Sequence, residues 1–278
     1  MSKIIKFLFN TGSNLACTII SAIFTFFPED FFNIVIVNKS WSKETNIIFM
    51  RLIVCIVIFF FSHVGCWLYY HKIRTKVSIN RKNFSIQIEY GDLFQISKGK
   101  VVINFDECFT TQVGENPADI KPTSVCGQYL KRSLISNDNM KSLINEAGIK
   151  PEKRKSRYKS QDSYAPGTIV PNGNFLLMAF TKLDQNGLGH LTYDEYIDCL
   201  RKLWEQIDLW HGTDDVYLPI LGSKIVRFDF DRDLTQQELL DIMINSYFLS
   251  PKKMKGSYTL HIVCRKQNGF SLNSVLGI

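Results

Sequence analysis

KVVINFDECFTT, residues 100–111, begins as a short apolar strand and runs directly into a polar loop. Upstream, FSIQIEYGDLF (84–94) alternates and then breaks at Gly91-Asp92, as a strand entering a loop does. Downstream, helix-like stretches cover 125–134 and 137–147, the second opened by Asn137 or Asp138 as N-cap. TIVPNGNFLLMAFTKL (168–183) places a turn at Pro171-Asn172-Gly173 between two strand-like runs and predicts a β-hairpin. A strongly amphipathic helix follows over 192–210, with Thr192 as N-cap and Glu195 completing a capping box. VYLPILGSKIVRF (216–228) returns to strand through a Gly-Ser turn. LTQQELLDIMINSYF (234–248) repeats the capping pattern with Thr235 and Glu238, and YTLHIVCR (258–265) closes as a strand. Strands alternating with helices at this spacing predict an α/β sheet with helices on its faces.

The rest of the chain is of another kind. Of 278 residues 45% are hydrophobic, and these crowd into the first 70 positions. IIFMRLIVCIVIFFFSHVGCWLYY (47–70) has Arg51 as its only full charge. As a helix it would be about 36 Å long, enough for a ~30 Å hydrocarbon core. Residues 7–27 carry no charge but are diluted by Asn10, Thr11, Gly12, Ser13 and Asn14, and Pro28-Glu29-Asp30 ends them. Two transmembrane helices, about 7–27 and 47–70, are therefore expected within a membrane anchor of residues 1–82. A soluble domain of residues 83–278 should follow. Lys72, Arg74, Lys76, Arg81 and Lys82 follow the second span with no acid among them, so both termini and the soluble domain are expected on the cytoplasmic side of the membrane. The same basic stretch suits anionic headgroups.

Net charge is +7, a modest excess that fits an anionic partner. The seven cysteines form no CxxC pair, which argues against a disulfide framework and a structural zinc site. No GxSxG, HExxH, Walker A or GxGxxG pattern is present, so no catalytic or metal site is expected. DQNGLGHLTYDE (184–195) approaches an EF-hand loop, but Leu188 stands where an oxygen ligand is needed, and calcium requires six or more oxygens. Lys153, Arg154, Lys155, Arg157 and Lys159 read as a solvated loop; without an aromatic stacking platform no nucleic-acid role is expected. What remains are two loops at strand ends, where ligands sit in open α/β sheets: Asn104–Thr111 and Leu221-Gly222-Ser223-Lys224. The Gly-Ser turn can present backbone N–H groups to a phosphate, with Lys224 adding charge.

The order Gly91-Asp92, VVIN with its loop, and LPILGS (218–223) resembles the macrodomain, which binds ADP-ribose. SVCGQYL (124–130), GTIVPNGNFLLMAFTKLD (167–184), LTYDEYIDCLRKLW (191–204) and LPILGSKIVRF (218–228) are similar to one branch of it. That branch is the membrane-anchored, ThsA-like macrodomain effectors of bacterial type II Thoeris anti-phage systems. The resemblance implies a macrodomain-like α/β fold, a mixed sheet flanked by helices, in which Asp92, with Leu93 beside it, holds the adenine amino group. It implies that Asn104, Asp106, Glu107 and Thr110 from the first loop, and Gly222, Ser223, Lys224 and Ile225 from the second, embrace the diphosphate and distal ribose. Asn104 matches the first Asn of hydrolytic macrodomains, but Phe105, Asp106 and Glu107 replace the following Ala-Ala-Asn, and Lys224 stands where Gly is usual. These departures favour sensing over hydrolysis, with Asp106 and Glu107 meeting a cationic or hydrogen-bonding part of the ligand. The implied ligand is an ADP-ribose derivative, such as histidine-ADP-ribose, made by a partner TIR-domain protein. No other cofactor is implied. Ligand binding would drive homo-oligomerisation, membrane disruption and abortive infection. A membrane-tethered ADP-ribosyl hydrolase and a calcium-binding membrane protein are the alternatives.

Overall fold

The computed structural model describes residues 3–35, 37, 40–69, 75–222, 227–228, 234–254, 257–267 and 269–275. The chain divides into two compact units, Met1–Thr75 and Lys76–Ile278.

The first unit is a helical hairpin: α1 (Lys3–Phe26), a 3-10 turn (Glu29–Asn33) and α2 (Lys43–Leu68). Ser42 caps α2 by accepting from Thr45 N at 3.2 Å. The helices run antiparallel, because Gly12 of α1 meets His63 of α2 at one end and Phe24 meets Arg51 at the other. A Cβ at Gly12 would stand 3.0 Å from the His63 ring, so glycine sets that close approach. Ala16 is fully buried in the same seam, and Ser13 Oγ lies 3.5 Å from His63 Nε2. At the other end the Arg51 guanidinium lies over Phe24 and Phe32, 5.4 and 5.1 Å from their centroids, and pairs with Glu29 at 3.3 Å. Among the described residues, α2 is the helix long and apolar enough to cross a membrane. Its Ile48, Leu52, Ile56, Phe60 and Phe61 are exposed, which a soluble core helix would not allow. The first expected span forms a helix as well, α1.

The second unit holds β1 (Lys76–Asn80), β2 (Ser85–Tyr90), β3 (Lys100–Asp106), α3 (Val125–Ser133), α4 (Asn137–Glu146), β4 (Ile169–Asn172), β5 (Phe175–Leu183) and β6 (Gly189–Leu191). α5 (Tyr193–Trp210), β7 (Val216–Pro219), β8 (Arg227–Phe228), α6 (Gln236–Leu249) and β9 (Thr259–Cys264) complete it. The sheet order is β1-β2-β9-β7-β3-β5-β6-β8, with β4 also on β5. β2, β9, β7, β3 and β5 are mutually parallel, whereas β1, β4 and β6 pair antiparallel with their neighbours. Alternation along β3 sends Val102 into one core and Val101, Ile103 and Phe105 into the other. The first core packs Ile86, Ile88, Met178, Leu260 and Ile262 under Tyr196, Leu203 and Trp204 of α5 and Leu240 and Met243 of α6. The second is covered by Tyr129 and Leu130 of α3 and Met140 and Ile144 of α4. The result is the mixed sheet with helices on both faces that the sequence predicts.

Thr192 and Thr235 form capping boxes with Glu195 and Glu238, as expected. The α4 cap is Ser136 rather than Asn137 or Asp138: its hydroxyl accepts from Asn139 N at 3.2 Å, and Asn139 reciprocates. The predicted hairpin is β4–β5, turned by Gly173 at φ 60°. The expected boundary after residue 82 moves to 75. KVSIN (76–80) is not a basic linker but the strand β1, paired with β2 through Lys76↔Glu89 to Asn80↔Ser85. Arg81 and Lys82 sit at the hairpin turn, where Arg81 N donates to Phe84 O at 2.9 Å.

In α3, a Cβ at Gly127 would come 2.2 Å from Lys121 O, a backbone atom that cannot move alone. Gly127→Ala is therefore expected to cost about 2 kcal/mol or more, measured by urea unfolding, as overpacking against fixed backbone does.

Candidate functional site

Because the five central strands are parallel, Tyr90, Cys264, Pro219, Asp106 and Leu183 all end on one edge of the sheet. At the end of β2, Gly91 N donates to Cys264 O at 3.2 Å, drawing the chain across β9. Asp92 then caps the 3-10 turn Leu93–Gln95, its Oδ1 accepting from Phe94 N at 3.0 Å. Asp92 is exposed, whereas Leu93 is buried in the second core and serves as the anchor of that turn. Arg132 of α3 lies over Phe94, 4.3 Å from its centroid, and stiffens the same corner.

At the end of β3, Asn104 is half-buried, and among the described residues nothing hydrogen-bonds its side-chain amide. Asp106 folds the loop that follows: its Oδ1 accepts from Cys108 N at 2.8 Å and from Thr110 N at 3.3 Å, and Thr110 Oγ1 donates to its Oδ2. Phe109 takes φ 51°, unusual for a bulky residue, and its ring is held in the second core against Phe105 and Tyr164. Burial pushes the Asp106 carboxyl above the ordinary range, with the neighbouring Glu107 charge adding to it and the bonds from Thr110 and Cys108 opposing it. The folded state thus holds this proton more tightly than the unfolded chain. That contribution to stability is full below the ordinary carboxylate range and is lost as pH rises through the raised value. Asp106→Asn is expected to flatten this part of a stability–pH profile, read by denaturant midpoints across acidic buffers.

Glu107, expected to face the ligand, is instead turned into the protein. Its carboxylate is buried and accepts from Ser156 Oγ at 2.5 Å and Leu183 N at 3.1 Å. Its backbone is fixed as well, through Glu107 N to Thr181 O at 2.7 Å and Tyr164 N to Glu107 O at 2.8 Å. Ser156 and Tyr164 carry no sequence signal for this site; they reach it only through tertiary contact. Ser156 belongs to a loop closed on itself by Glu152 N to Ser163 O and Ser156 N to Gln161 O, 2.7 and 3.0 Å. The basic residues of that loop are all exposed, as expected. Burial raises the Cys108 thiol to about 12, against a bond from Ser156, so it is a poor nucleophile at neutral pH.

At the end of β7, Ile220, Leu221 and Gly222 are buried. Tyr196 Oη donates to Leu221 O at 3.2 Å, and Leu221 N points at Met243 Sδ at 3.4 Å, so both large helices hold the start of the second loop. Gly222 adopts φ 87°, which requires glycine at this turn. Ser223, Lys224 and Ile225 lie outside the described residues. The two loops and the Asp92 corner thus leave the same end of the parallel strands, in the order β2, β9, β7, β3, with Asn104 near the end of β3 and the Gly222 turn after β7.

The EF-hand-like stretch is built differently from a calcium loop. It follows a strand, β5, and Asp184 Oδ1 accepts from Asn186 N and Leu188 N, each at 2.8 Å, as an Asx-turn. Glu195 accepts from Thr192 N at 2.9 Å and pairs with Lys182 at 2.6 Å, and those bonds hold its carboxyl below the usual range despite partial burial. Among the described residues no group of three or more His, Cys, Asp or Glu side chains could hold a metal ion.

A family model described as "Thoeris protein ThsA, Macro domain" matches residues 86–265. A curated relative, "Thoeris protein ThsA" of Bacillus amyloliquefaciens (strain Y2), is 28% identical over 204 residues, covering 71% of this chain and 68% of the relative. Among solved structures, the Oceanobacillus iheyensis macrodomain with ADP superposes with a TM-score of 0.44 at 8% identity, covering 69% of this chain and 89% of that one. The macrodomain of Thermus aquaticus DarG gives a TM-score of 0.36 at 14% identity, covering 63% and 95%.

Proposed function

This chain belongs to the ThsA macrodomain family of Thoeris anti-phage defence, and we propose that it is a membrane-anchored sensor that binds an ADP-ribose-type nucleotide without hydrolysing it. The observation that carries this reading is the Asn104 amide, half-buried and, among the described residues, without a hydrogen-bond partner, near the strand ends where both loops begin. That amide carries both donor and acceptor and is open to a ligand's hydroxyl or phosphate. Asp92 offers an exposed acceptor after β2, and the Gly222 turn after β7 offers backbone between it and Asn104.

Hydrolysis would need a group free to activate water. Asp106 spends its carboxylate on its own turn, Glu107 is bonded inward, and the Cys108 thiol is protonated at neutral pH. Binding in place of turnover leaves the ligand as a signal, supplied by a TIR-domain partner. Such a signal acts by favouring an assembled state of the membrane helices, and it must bind that state more tightly than the resting one. The outcome is disruption of the bacterial inner membrane and abortive infection.

The test is calorimetric titration of the full chain in detergent micelles with ADP-ribose and histidine-ADP-ribose, followed by chromatography of the recovered nucleotide. Binding with the nucleotide returned intact is expected. Release of ADP-ribose from an ADP-ribosylated protein would replace the sensor with the hydrolase, and absence of binding to either nucleotide would remove the ligand assignment.

A further inference from the structure

At 3.6 residues per turn, Asn10, Asn14, Cys17, Ser21 and Thr25 of α1 fall on one stripe, opposite the Gly12 and Ala16 face that packs on α2. All five are exposed, and the stripe runs ~22 Å along the helix at ~1.5 Å per residue. The hydroxyl of Thr25 is satisfied within the helix by Ser21 O at 2.7 Å, and that of neighbouring Thr18 by Asn14 O at 2.9 Å. The amides are different: among the described residues nothing hydrogen-bonds the side chain of Asn10 or Asn14. Ser13, by contrast, faces α2 and sits against His63.

We propose that this stripe is the face through which α1 meets the α1 of a second copy of the chain. The inference rests on the membrane-effector reading, since α1 lies antiparallel along the apolar α2 and so shares its bilayer. Hydrocarbon cannot satisfy an exposed amide, and α2 already occupies the opposite face. An Asn side chain carries both donor and acceptor, so the same stripe on another copy is its own complement, and Asn pairs across membrane helices are an established source of association. The short side chains at Cys17, Ser21 and Thr25 let two such helices approach closely along the rest of the stripe. Symmetric use of one face by identical chains needs no further partner.

Cys17 places a native reporter within the seam, whereas Cys55 and Cys66 lie on α2. The full chain is reconstituted in phosphatidylethanolamine–phosphatidylglycerol vesicles and oxidised with copper phenanthroline, with and without ADP-ribose. A disulfide-linked dimer is expected that is lost in Cys17→Ser, kept in Cys55→Ser, and reduced about tenfold in Asn10→Leu/Asn14→Leu. Leu15→Ala, on the lipid side of the same helix, should leave it unchanged, and equal helical content by circular dichroism keeps the comparison sound. A dimer linked through Cys55 or Cys66, one indifferent to the Asn pair, or none at any protein density would overturn the proposal. Titration with ADP-ribose reads the sensor separately: the Asn10→Leu/Asn14→Leu chain should bind as the parent does, and a parent that dimerises through Cys17 but binds nothing would sink the sensor and leave the seam standing.

Discussion

Asp92→Ala is expected to weaken ADP-ribose binding by about 10- to 100-fold while lowering the unfolding midpoint by no more than a few degrees, the loss of one cap. The carboxylate is exposed, so its removal uncovers no core, and among the described residues its bond is the one from Phe94 N at 3.0 Å, which caps a single 3-10 turn. A hydrogen bond to a charged acceptor contributes about 1.5–3 kcal/mol when both partners leave water, which corresponds to that loss of affinity. If the acceptor reads the adenine amino group, the inosine analogue of ADP-ribose, which lacks that donor, should bind the parent chain more weakly than ADP-ribose does. In Asp92→Ala the two nucleotides should bind alike, because discrimination by an unpaired polar group vanishes with the group. Calorimetry of both nucleotides against both chains reads the whole cycle. Equal affinity in the parent would mean that Asp92 does not read the base.

The order of strands and helices is legible in the sequence because each element carries a local signal. The capping boxes at Thr192 and Thr235 and the turn at Gly173 are decided within four residues, and the structure keeps them. β1 and β6 escape that reading for a physical reason. KVSIN lies in a basic stretch after a long apolar helix, and only its pairing with β2 makes it a strand; GHL (189–191) is too short to signal without its neighbours on β5 and β8. The site divides the same way. Asp92, Asn104 and Gly222 mark strand ends, so their edge can be inferred from topology. The roles of Asp106 and Glu107 cannot, because a carboxylate looks the same in sequence whether it faces a ligand or the protein. What separates them is a turn closed by Thr110 and a loop 49 residues downstream that supplies Ser156. In the sequence Asn10, Thr11, Ser13 and Asn14 dilute an apolar run and read alike as candidates for interhelical hydrogen bonds; sorting them into a face against α2, where Ser13 meets His63, and a face away from it requires the hairpin itself.

Glu107→Ala should destabilise the macrodomain by about 3 kcal/mol, the largest loss expected of any single site residue. The carboxylate is buried and bridges three separate segments: its own loop, Ser156 of the basic loop and Leu183 N at the end of β5. Removing it leaves the Leu183 N–H and the Ser156 hydroxyl buried without an acceptor, and each such loss costs about 1–3 kcal/mol. For a domain of this size that is a fall of roughly 6–12 °C in Tm. Glu107→Gln keeps an oxygen for Leu183 N while surrendering the charge, so about a third of that loss is expected. Thermal unfolding followed in the near-ultraviolet, where the packed aromatic rings around Phe105, Phe109 and Tyr164 report, separates the two variants. Ligand affinity gives the decisive contrast. At temperatures where both variants remain folded, a scaffolding Glu107 leaves the ADP-ribose affinity of Glu107→Gln within about threefold of the parent, less than the tenfold that 1.4 kcal/mol represents. A carboxylate that touched the ligand would instead lose affinity with no change in Tm. The inward bonds from Ser156 and Leu183, both to Oε1, favour the first outcome, because they hold the buried carboxylate within the protein.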